Sequence, residues 1–308
     1  MSYLEVITKV DNFPYGEDPG YYKLLSHDRS AILGYIEEDI AARLAEELWF
    51  HIERSEKTVT FDSKLDIFEK RNEVLKTIAE KWRKLPYFSD SLDKAWRNEL
   101  YVVYNPTHTP YVLVERALSV LIGVVTYGVH INGYIPASKT SNKKLKLWVP
   151  RRSKTKQTYP LMLDNTIAGG IGFPNGIGET VIKECFEEGH LSAEFVKLHI
   201  KPTGVVLYMY QPKGAQGNVQ PEVEYTYDLE FDNETDVIPR PEDGEVESFV
   251  LMDSDEVLKR LYRNEFKPNC GLIIIDFLIR HGYITPDIEP NYSEIVSRCH
   301  RKLPFPTL

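Results

Sequence analysis

Three carboxylates follow a glycine-rich segment near the middle of the chain. Residues 168–178 read AGGIGFPNGIG, and Glu184, Glu187 and Glu188 come shortly after them at helical spacing. At about 100° per residue, these three side chains fall within one arc of a helix. Carboxylates so spaced repel one another unless a cation lies among them, and a hard divalent ion bridges carboxylates to phosphates. The pattern therefore favours a magnesium site that assists hydrolysis of a phosphoric anhydride.

The other side of this helix is predicted to be core. The residues that fall opposite the carboxylates are Ile182, Cys185, Phe186 and Gly189. Gly189 is also expected to end the helix. An acidic helix by itself is more often a solvated face. The preceding Gly169–Gly170 pair favours a site instead, because glycines let the backbone approach phosphates closely or supply a carbonyl ligand.

The spacing suggests a role for each carboxylate. Glu184 and Glu188 stack as an i, i+4 pair, so we expect them to be the principal ligands of Mg²⁺, with Mn²⁺ as the alternative ion. Glu187 either completes the metal shell or acts as the base. Glu245, on a late strand, is a further ligand or a general base, with a solvated strand edge as the alternative. The catalytic candidates are therefore Glu187, Glu188 and Glu245.

Residues for substrate binding are drawn from several segments. The basic cluster contains Arg151, Arg152, Lys154 and Lys156, of which Arg152 or Lys154 is favoured as a phosphate partner. A basic surface loop is the alternative. Gly169 and Gly170 are expected to lie against the phosphates. His130 alternates with apolar neighbours on a predicted strand, so it faces either solvent or a pocket, where it is a candidate to contact a flat heterocycle.

Composition limits the classes of partner. A net charge of −9 argues against a general nucleic-acid binder, because affinity for nucleic acid rests on clustered Lys and Arg. No apolar run is long enough for a membrane helix, and the first residues lack the order of a signal peptide. We therefore expect a soluble, cytoplasmic protein with a small-molecule diphosphate as partner and neither nucleic acid nor membrane; the sequence sets no oligomeric state. Cys185, Cys270 and Cys299 are far apart, which predicts reduced core residues.

The first part of the chain predicts a small α/β unit. A strand from Tyr35 leads to a helix with Ile40, Leu44 and Leu48 on one face and then to a strand over Thr58–Phe61. A helix capped by Ser63 and Asp66 runs to Lys84, and a hairpin lies between Tyr101 and Val114. A strand follows from Tyr127. We place the domain boundary near residue 118, which divides the chain into domains 1–118 and 119–308.

The second part alternates strands with a few helices. Strands are predicted over 145–152, 196–200, 205–211, 222–231 and 245–252, and helices over 179–188, 254–262 and 271–280. Asn269 is the expected cap of the last helix and Gly282 lies just past its end. The acidic stretch 228–247 is expected to be a solvated connection with a strand at each end.

The glycine-rich loop and acidic helix together resemble the Nudix box, G-x5-E-x7-R-E-x2-E-E-x-G. Aligned on Glu184, Glu187 and Glu188, the leading glycine of the box falls on Gly169. Lys183 stands in place of the arginine, Asn175 in place of the first glutamate and His190 in place of the last glycine. The carboxylates of the metal-binding core are all kept.

Further segments are similar to a fungal and plant group of Nudix hydrolases with an extra N-terminal domain, related to thiamine pyrophosphokinase fusion proteins. They are residues 127–134, 151–160, 163–165, 239–247, 266–270 and 303–306. The resemblance implies an α+β protein: a Nudix α/β/α sandwich with a mixed sheet, preceded by a smaller α/β domain. It also implies hydrolysis of thiamine diphosphate, or of its oxidised analogues, to the monophosphate and phosphate. The alternatives are a nucleoside diphosphate derivative as substrate, or a binding module that has lost catalysis.

Overall fold

The N-terminal part of the protein forms a sheet flanked by helices and followed by a hairpin. The computed structural model describes residues 2–16, 20–212 and 217–308. The elements are α1 (Tyr3–Thr8), β1 (Tyr22–Leu25), β2 (Ile32–Ile36), α2 (Glu38–Leu44), β3 (Phe50–Glu53), β4 (Thr58–Phe61), α3 (Phe68–Trp82), β5 (Leu100–Tyr104), β6 (Pro110–Glu115) and α4 (Arg116–Leu121). The strand order of the sheet is β2-β1-β4-β3, and β5 pairs with β6 as the predicted hairpin.

The rest of the chain forms a mixed sheet with helices on both faces. Its elements are β7 (Thr126–Ile135), β8 (Lys146–Arg152), β9 (Ile167–Gly170), α5 (Ile177–Gly189), α6 (Ala193–His199), β10 (Ile200–Tyr210), β11 (Gln220–Glu230), β12 (Val246–Asp253), α7 (Ser254–Tyr262), α8 (Pro268–Arg280) and α9 (Tyr292–Cys299). The strand order is β10-β11-β7-β8-β12, and β9 pairs with β7. The pair β7–β11 is parallel, whereas β7–β8 is antiparallel. The predicted mixed sheet is therefore confirmed.

Alternation along the strands directs side chains to two separate cores. Val129 and Ile131 of β7 pack in the same core as Val181 of α5. Leu147 of β8 packs on the other face with residues of α8 such as Ile274. Because successive strand residues point to opposite faces, one sheet supports both layers. The result is an α/β/α sandwich that leaves α5 on one face and α8 on the other.

A third apolar core belongs to the N-terminal elements, where Phe61, Ile78 and Val114 are among its members. Helix α1 does not join it: Val6 and Ile7 pack in the core on the α8 face of the mixed sheet. The proposed boundary near residue 118 lies within α4. The division of the chain into two domains stays a proposal.

Most of the predicted elements of the second half are confirmed, including α7 over residues 254–262. The strand predicted over 196–200 is wrong, because these residues end α6 and begin β10. Ser192 caps that helix by accepting a hydrogen bond from the Phe195 N–H at 3.2 Å, a signal that the β-branched Val196 obscured. Asn269 lies inside α8, whose cap position is Lys267.

The N-terminal predictions were less accurate. The helix α2 ends at Leu44, and Leu48 is 88% exposed, because the chain turns there so that Phe50 can pair with Phe61 across β3 and β4. Helix α3 begins at Phe68 without a side-chain cap, so the predicted cap at Ser63 and Asp66 is wrong. The elements α1, β1, β3 and α9 were not predicted; apart from the eight-residue α9, each is six residues or shorter.

A buried carboxylate joins the two ends of the chain. Asp11 is fully buried, and its oxygens accept hydrogen bonds from Arg301 Nη1 at 2.9 Å, Arg298 Nε at 3.2 Å and the Met209 backbone N–H at 3.2 Å. Arg301 also donates to the carbonyl oxygens of Phe13 and Pro14. The N-terminal segment, β10 and the C-terminal segment are thus held by one charged group.

We expect Asp11→Ala to lower the free energy of unfolding by about 3–5 kcal/mol, because it leaves the buried Arg301 without its counter-charge. Urea unfolding measures the change. Asp66→Ala is the control: it removes the exposed Asp66–Lys70 pair, whose loss is expected to change stability by less than about 1 kcal/mol. An Asp11→Ala protein as stable as the Asp66→Ala protein would contradict the assignment.

Candidate functional site

The acidic helix α5 begins and ends with backbone contacts that fix its position. At the start, the Gly176 N–H donates to Glu179 Oε2 at 2.9 Å, so Glu179 caps the helix and points away from the other carboxylates. At the end, His190 adopts a left-handed conformation with φ 53°. The helix ends at Gly189, as expected, but the left-handed residue that follows is His190; Gly189 is helical and buried, and a Cβ there would lie 2.8 Å from Ile167.

Glu188 is the most buried of the three carboxylates on α5, with 9% of the residue exposed. Its Oε2 accepts a hydrogen bond from the Ala168 N–H, at the start of the glycine pair, at 2.9 Å. Burial, with a further contribution from the nearby Asp164 carboxylate, raises the pKa of Glu188 well above its usual value. A carboxylate in this position is stabilised in its charged form by any cation that reaches it.

Glu184 lies directly against Gly169. A Cβ on Gly169 would lie well under 3.0 Å from the carboxyl group of Glu184, so a side chain at this position would displace it. Burial raises the pKa of Glu184, and the charges of Glu187 and Glu245 act in the same direction. Gly169 is therefore needed for the close approach of helix α5 and strand β9.

Lys183 joins the two less buried carboxylates. Its Nζ lies 3.0 Å from Glu184 Oε1 and 3.0 Å from Glu187 Oε2. Partial burial opposes the charged form, but the two carboxylates outweigh it and raise the pKa of Lys183. The side chain of Glu187 is 44% exposed. The ammonium group thus neutralises the pair whose repulsion the sequence predicted.

The packing face of α5 differs from the prediction at one residue. Cys185 and Gly189 are buried and Ile182 is partly buried, as expected. Phe186 was expected in the core, but it is 52% exposed, with its ring 5.6 Å from that of His190. The helix therefore presents an exposed aromatic ring next to its carboxylates. All three cysteines are buried and free in the part of the chain that the structure describes, which confirms that prediction.

The basic loop after β8 comes near the acidic helix at Lys156. Lys156 Nζ contacts Glu245 Oε2, and its charge also acts on Glu188. Lys154 is exposed. Glu245 lies one residue before β12, and its charge contributes to the raised pKa of Glu184. The structure thus brings Lys156 and Glu245 to the acidic helix.

Arg152 holds the loop that follows it. The guanidinium group donates to Asp164 Oδ2 at 2.6 Å, to the Tyr159 carbonyl at 3.0 Å and to the Thr158 carbonyl at 2.9 Å. Arg151 donates to the Leu161 carbonyl at 2.7 Å. Both arginines therefore shape residues 153–163, and Arg152 is 9% exposed.

Asp164 is a charged residue at the site to which the sequence assigned no chemistry. It accepts hydrogen bonds from Arg152 and, at 2.6 Å, from Cys270 Sγ. Burial opposes its ionisation, yet the charges of Lys267 and Arg152 lower the pKa of Asp164 to about 2. The available signal was the polar run of residues 164–166 directly before the short strand β9.

His130 lies on the face of β7 away from Val129 and Ile131, as the alternation predicted, but it is only 4% exposed. Its Nδ1 lies 2.7 Å from Asn165 Oδ1, and its Nε2 lies 3.5 Å from Glu224 Oε2. Burial opposes protonation, but the Glu224 charge outweighs it and raises the pKa of His130 well above its usual value. His130 is therefore part of a buried polar network on the α8 face.

The donor set beside α5 fits a hard divalent cation. The set consists of carboxylate oxygens, the ligands that such an ion prefers. The buried carboxylate of Glu188 makes no hydrogen bond to a cationic side chain among the described residues, whereas Glu184 is paired with Lys183. Within residues 2–16, 20–212 and 217–308, no three His, Cys, Asp or Glu side chains converge closely enough to hold an ion in the present arrangement. Lys183 holds Glu184 and Glu187, so a bound ion would compete with its ammonium group.

Two surface depressions lie elsewhere, one between β12 and α7 and one after α3, and neither is lined by a candidate residue. In the described ranges, no helix combines the length and apolarity needed to cross a bilayer.

Comparison with known proteins gives matches to both parts of the chain. A family model described as a domain of unknown function, DUF4743, matches residues 25–126. A Saccharomyces cerevisiae protein, Uncharacterized protein YJR142W, is 44% identical over 331 residues, covering 100% of this chain and 93% of that protein. Nudix hydrolase 20, chloroplastic, of Arabidopsis thaliana is 39% identical, covering 67% of this chain and 53% of its own. Nudix hydrolase 24, chloroplastic, of the same plant is 38% identical, with coverages of 66% and 53%. The chain spans about half the length of these two plant relatives.

We expect Gly169→Ala to weaken binding of Mn²⁺ by about tenfold or more, because the added methyl group displaces Glu184; tenfold corresponds to about 1.4 kcal/mol. Electron paramagnetic resonance of free Mn²⁺ gives the affinity. The matched control is Gly178→Ala on the same helix, where an added Cβ meets open space. If the two variants bind Mn²⁺ equally well, the placement of Glu184 at a metal site is wrong.

Proposed function

This chain belongs to the Nudix hydrolase family, and from that premise we propose that it hydrolyses a diphosphate, with thiamine diphosphate or its oxidised analogues as substrate and the monophosphate and phosphate as products. The observation that carries the proposal is the buried carboxylate of Glu188, which lies beside Glu184 and is hydrogen-bonded to the strand of the glycine pair. The substrate is the one that the resemblance to the fungal and plant group implies.

Glu184, Glu187 and Glu188 are the residues that would hold Mg²⁺, with Mn²⁺ as the alternative. A bound divalent ion would neutralise charge on the phosphates and lower the pKa of a water molecule. The chain contributes the rigidity of this set: Ala168 fixes Glu188, and Gly169 allows Glu184 to reach the strand. Lys183 orients Glu184 and Glu187 by contacting both.

Two residues remain candidates for the general base. Glu187 is part-exposed and oriented by Lys183, and Glu245 is oriented by Lys156. Either carboxylate is positioned by an ammonium group, so either can accept a proton from water near Glu188. Gly169 and Gly170 provide the backbone against which the phosphates lie.

The loop 153–163 supplies the positive charge for the diphosphate. Lys154 and Lys156 are its candidate phosphate ligands, together with Arg151 at the end of β8. Arg152 positions the loop instead of binding phosphate, because its guanidinium group donates to the carbonyl groups of Thr158 and Tyr159 and to the carboxylate of Asp164. We assign Arg152 a positioning role. His130 belongs to the buried polar network on the α8 face of the sheet.

A binding module is the second candidate function, and Lys183 is the observation that favours it. An ammonium group between Glu184 and Glu187 neutralises carboxylates that a metal would otherwise need to neutralise. Asn175 also stands where the family motif has a glutamate. A nucleoside diphosphate derivative remains the alternative substrate for the catalytic function.

We expect metal-dependent phosphate release from thiamine diphosphate and oxythiamine diphosphate, and a loss of about 100-fold or more in kcat/KM for Glu188→Gln. The measurement is phosphate release with Mg²⁺ and with a chelator, over these compounds and a nucleotide panel. Glu179→Gln on the same helix is the control and should retain activity, because Gln can still cap the helix. Phosphate release from nucleotides alone would rule out thiamine diphosphate as the substrate. No phosphate release from any compound would favour the binding module.

A further inference from the structure

A second pair of carboxylates lies on the α8 face of the mixed sheet, away from the acidic helix. Glu222 and Glu224 alternate on β11, and the Tyr208 hydroxyl of β10 contacts both, donating to Glu222 Oε2 and lying 3.1 Å from Glu224 Oε1. Glu224 is 5% exposed, whereas Glu222 is only partly buried. The pair therefore reaches solvent at Glu222 and is closed at Glu224. Neither residue has a role in the hydrolysis proposed above.

One oxygen of this pair, Glu224 Oε2, has an ion-pair partner but no hydrogen bond among the described residues. Glu224 Oε2 is buried and makes no hydrogen bond within the part of the chain that the structure describes. His130 Nε2, at 3.5 Å, supplies charge without a well-formed hydrogen bond. Buried carboxylate oxygens are nearly always hydrogen-bonded, so this oxygen keeps the capacity to accept a hydrogen bond from a donor that arrives from outside.

The protonation states leave this oxygen charged. Burial opposes ionisation of Glu224, but the His130 charge lowers its pKa below the usual value. Burial and the charge of Glu224 raise the pKa of Glu222 to about 8. Near neutral pH, Glu224 is therefore an anionic acceptor and Glu222 mostly holds its proton.

Further tyrosines lie close enough to the carboxylate pair to interact with it electrostatically. Burial raises the pKa of Tyr210 to about 12, and the neighbouring Tyr159 and Glu222 act in the same direction. Tyr159 is 36% exposed and belongs to the loop that Arg152 holds. Tyr101 of the N-terminal hairpin interacts electrostatically with Glu222 and Glu224. Flat aromatic faces beside an acceptor suit a planar ring that carries N–H groups.

The glycine pair connects this region to the acidic helix. Gly170 pairs with Gly128 across β9 and β7, and a Cβ on Gly128 would lie well under 3.0 Å from Glu224 Oε2. The Tyr101 hydroxyl lies against Gly170 in the same way. Gly169, one residue earlier, lies against Glu184. Gly169 of β9 thus lies against one carboxylate group, and Gly128, which is paired with the next residue of β9, lies against the other, on the opposite face of the sheet.

We propose that Glu224 Oε2, with Glu222, Tyr159 and Tyr210, binds the non-phosphate part of the substrate, and that this part is a planar nitrogen heterocycle that donates N–H to Glu224. The inference rests on the proposed function, because it places the diphosphate of the same molecule at the glycine pair. Specificity then comes from the α8 face and hydrolysis from the α5 face.

Phosphate-free probes test this inference independently of hydrolysis. Thiamine and adenosine are titrated into the full chain by calorimetry, without metal. We expect at least one to bind, and Glu224→Gln to weaken its binding by about tenfold or more, the range of a hydrogen bond to a charged group. Glu230→Gln is the matched control, because Glu230 lies on the same strand and face but pairs with Lys139 and Tyr134. Its affinity should equal that of the wild type.

A second variant protects the test against misfolding. Tyr159→Ala changes a part-exposed ring and no buried charge, and it should also weaken probe binding, by about threefold or more. Circular dichroism melting establishes that each variant is folded. The inference is overturned if neither probe binds the wild-type protein, or if folded Glu224→Gln and Tyr159→Ala both bind as tightly as the wild type.

The two proposals fail in different ways. Glu224-dependent binding of a probe, without hydrolysis of any diphosphate, keeps this inference and discards the enzyme. Hydrolysis with probe binding that does not depend on Glu224 keeps the enzyme and discards this inference. Glu224-dependent binding of adenosine alone keeps the inference and replaces thiamine diphosphate with a nucleoside diphosphate derivative.

Discussion

The buried ion pair between Arg152 and Asp164 is the interaction on which the candidate site depends. Asp164 is nearly inaccessible, so its charge is tolerated only because Arg152 and Lys267 face it. The same guanidinium group holds the carbonyl groups of residues 158 and 159. One ion pair thereby fixes the basic loop, contacts α8 through Cys270 and places a negative charge near Glu188.

The glycines of β9 and β7 impose a second constraint, which is steric. Gly169 and Gly170 point to opposite faces of the sheet, and each lies against a polar side chain, Glu184 on one face and Tyr101 on the other. A methyl group at either position would separate strand and side chain. The mixed sheet can therefore carry polar groups close to its backbone on both faces, while its centre remains apolar. The N-terminal hairpin takes part in this arrangement through Tyr101.

Much of the architecture was predictable because its signals are local. The strands β7, β8, β10, β11 and β12 follow alternation or β-branched runs, and α7 follows from apolar spacing after Asp253, whose side chain caps it. Errors arose where a short element or a cap competed with a side-chain propensity, as at Val196 in α6. Leu48 fitted a helical face, but pairing of β3 with β4 ended the helix before it.

The sequence alone determined the position of the carboxylates and glycines, because i, i+3 and i+4 spacing fixes which side chains share an arc of a helix. It did not determine that Lys183 lies between Glu184 and Glu187, or that Phe186 is exposed, since these depend on what packs against the helix. The ion pair between His130 and Glu224 depends on the tertiary structure alone. Parallel pairing of β7 and β11 joins strands far apart in the chain, and such a contact leaves no periodic signal in either segment.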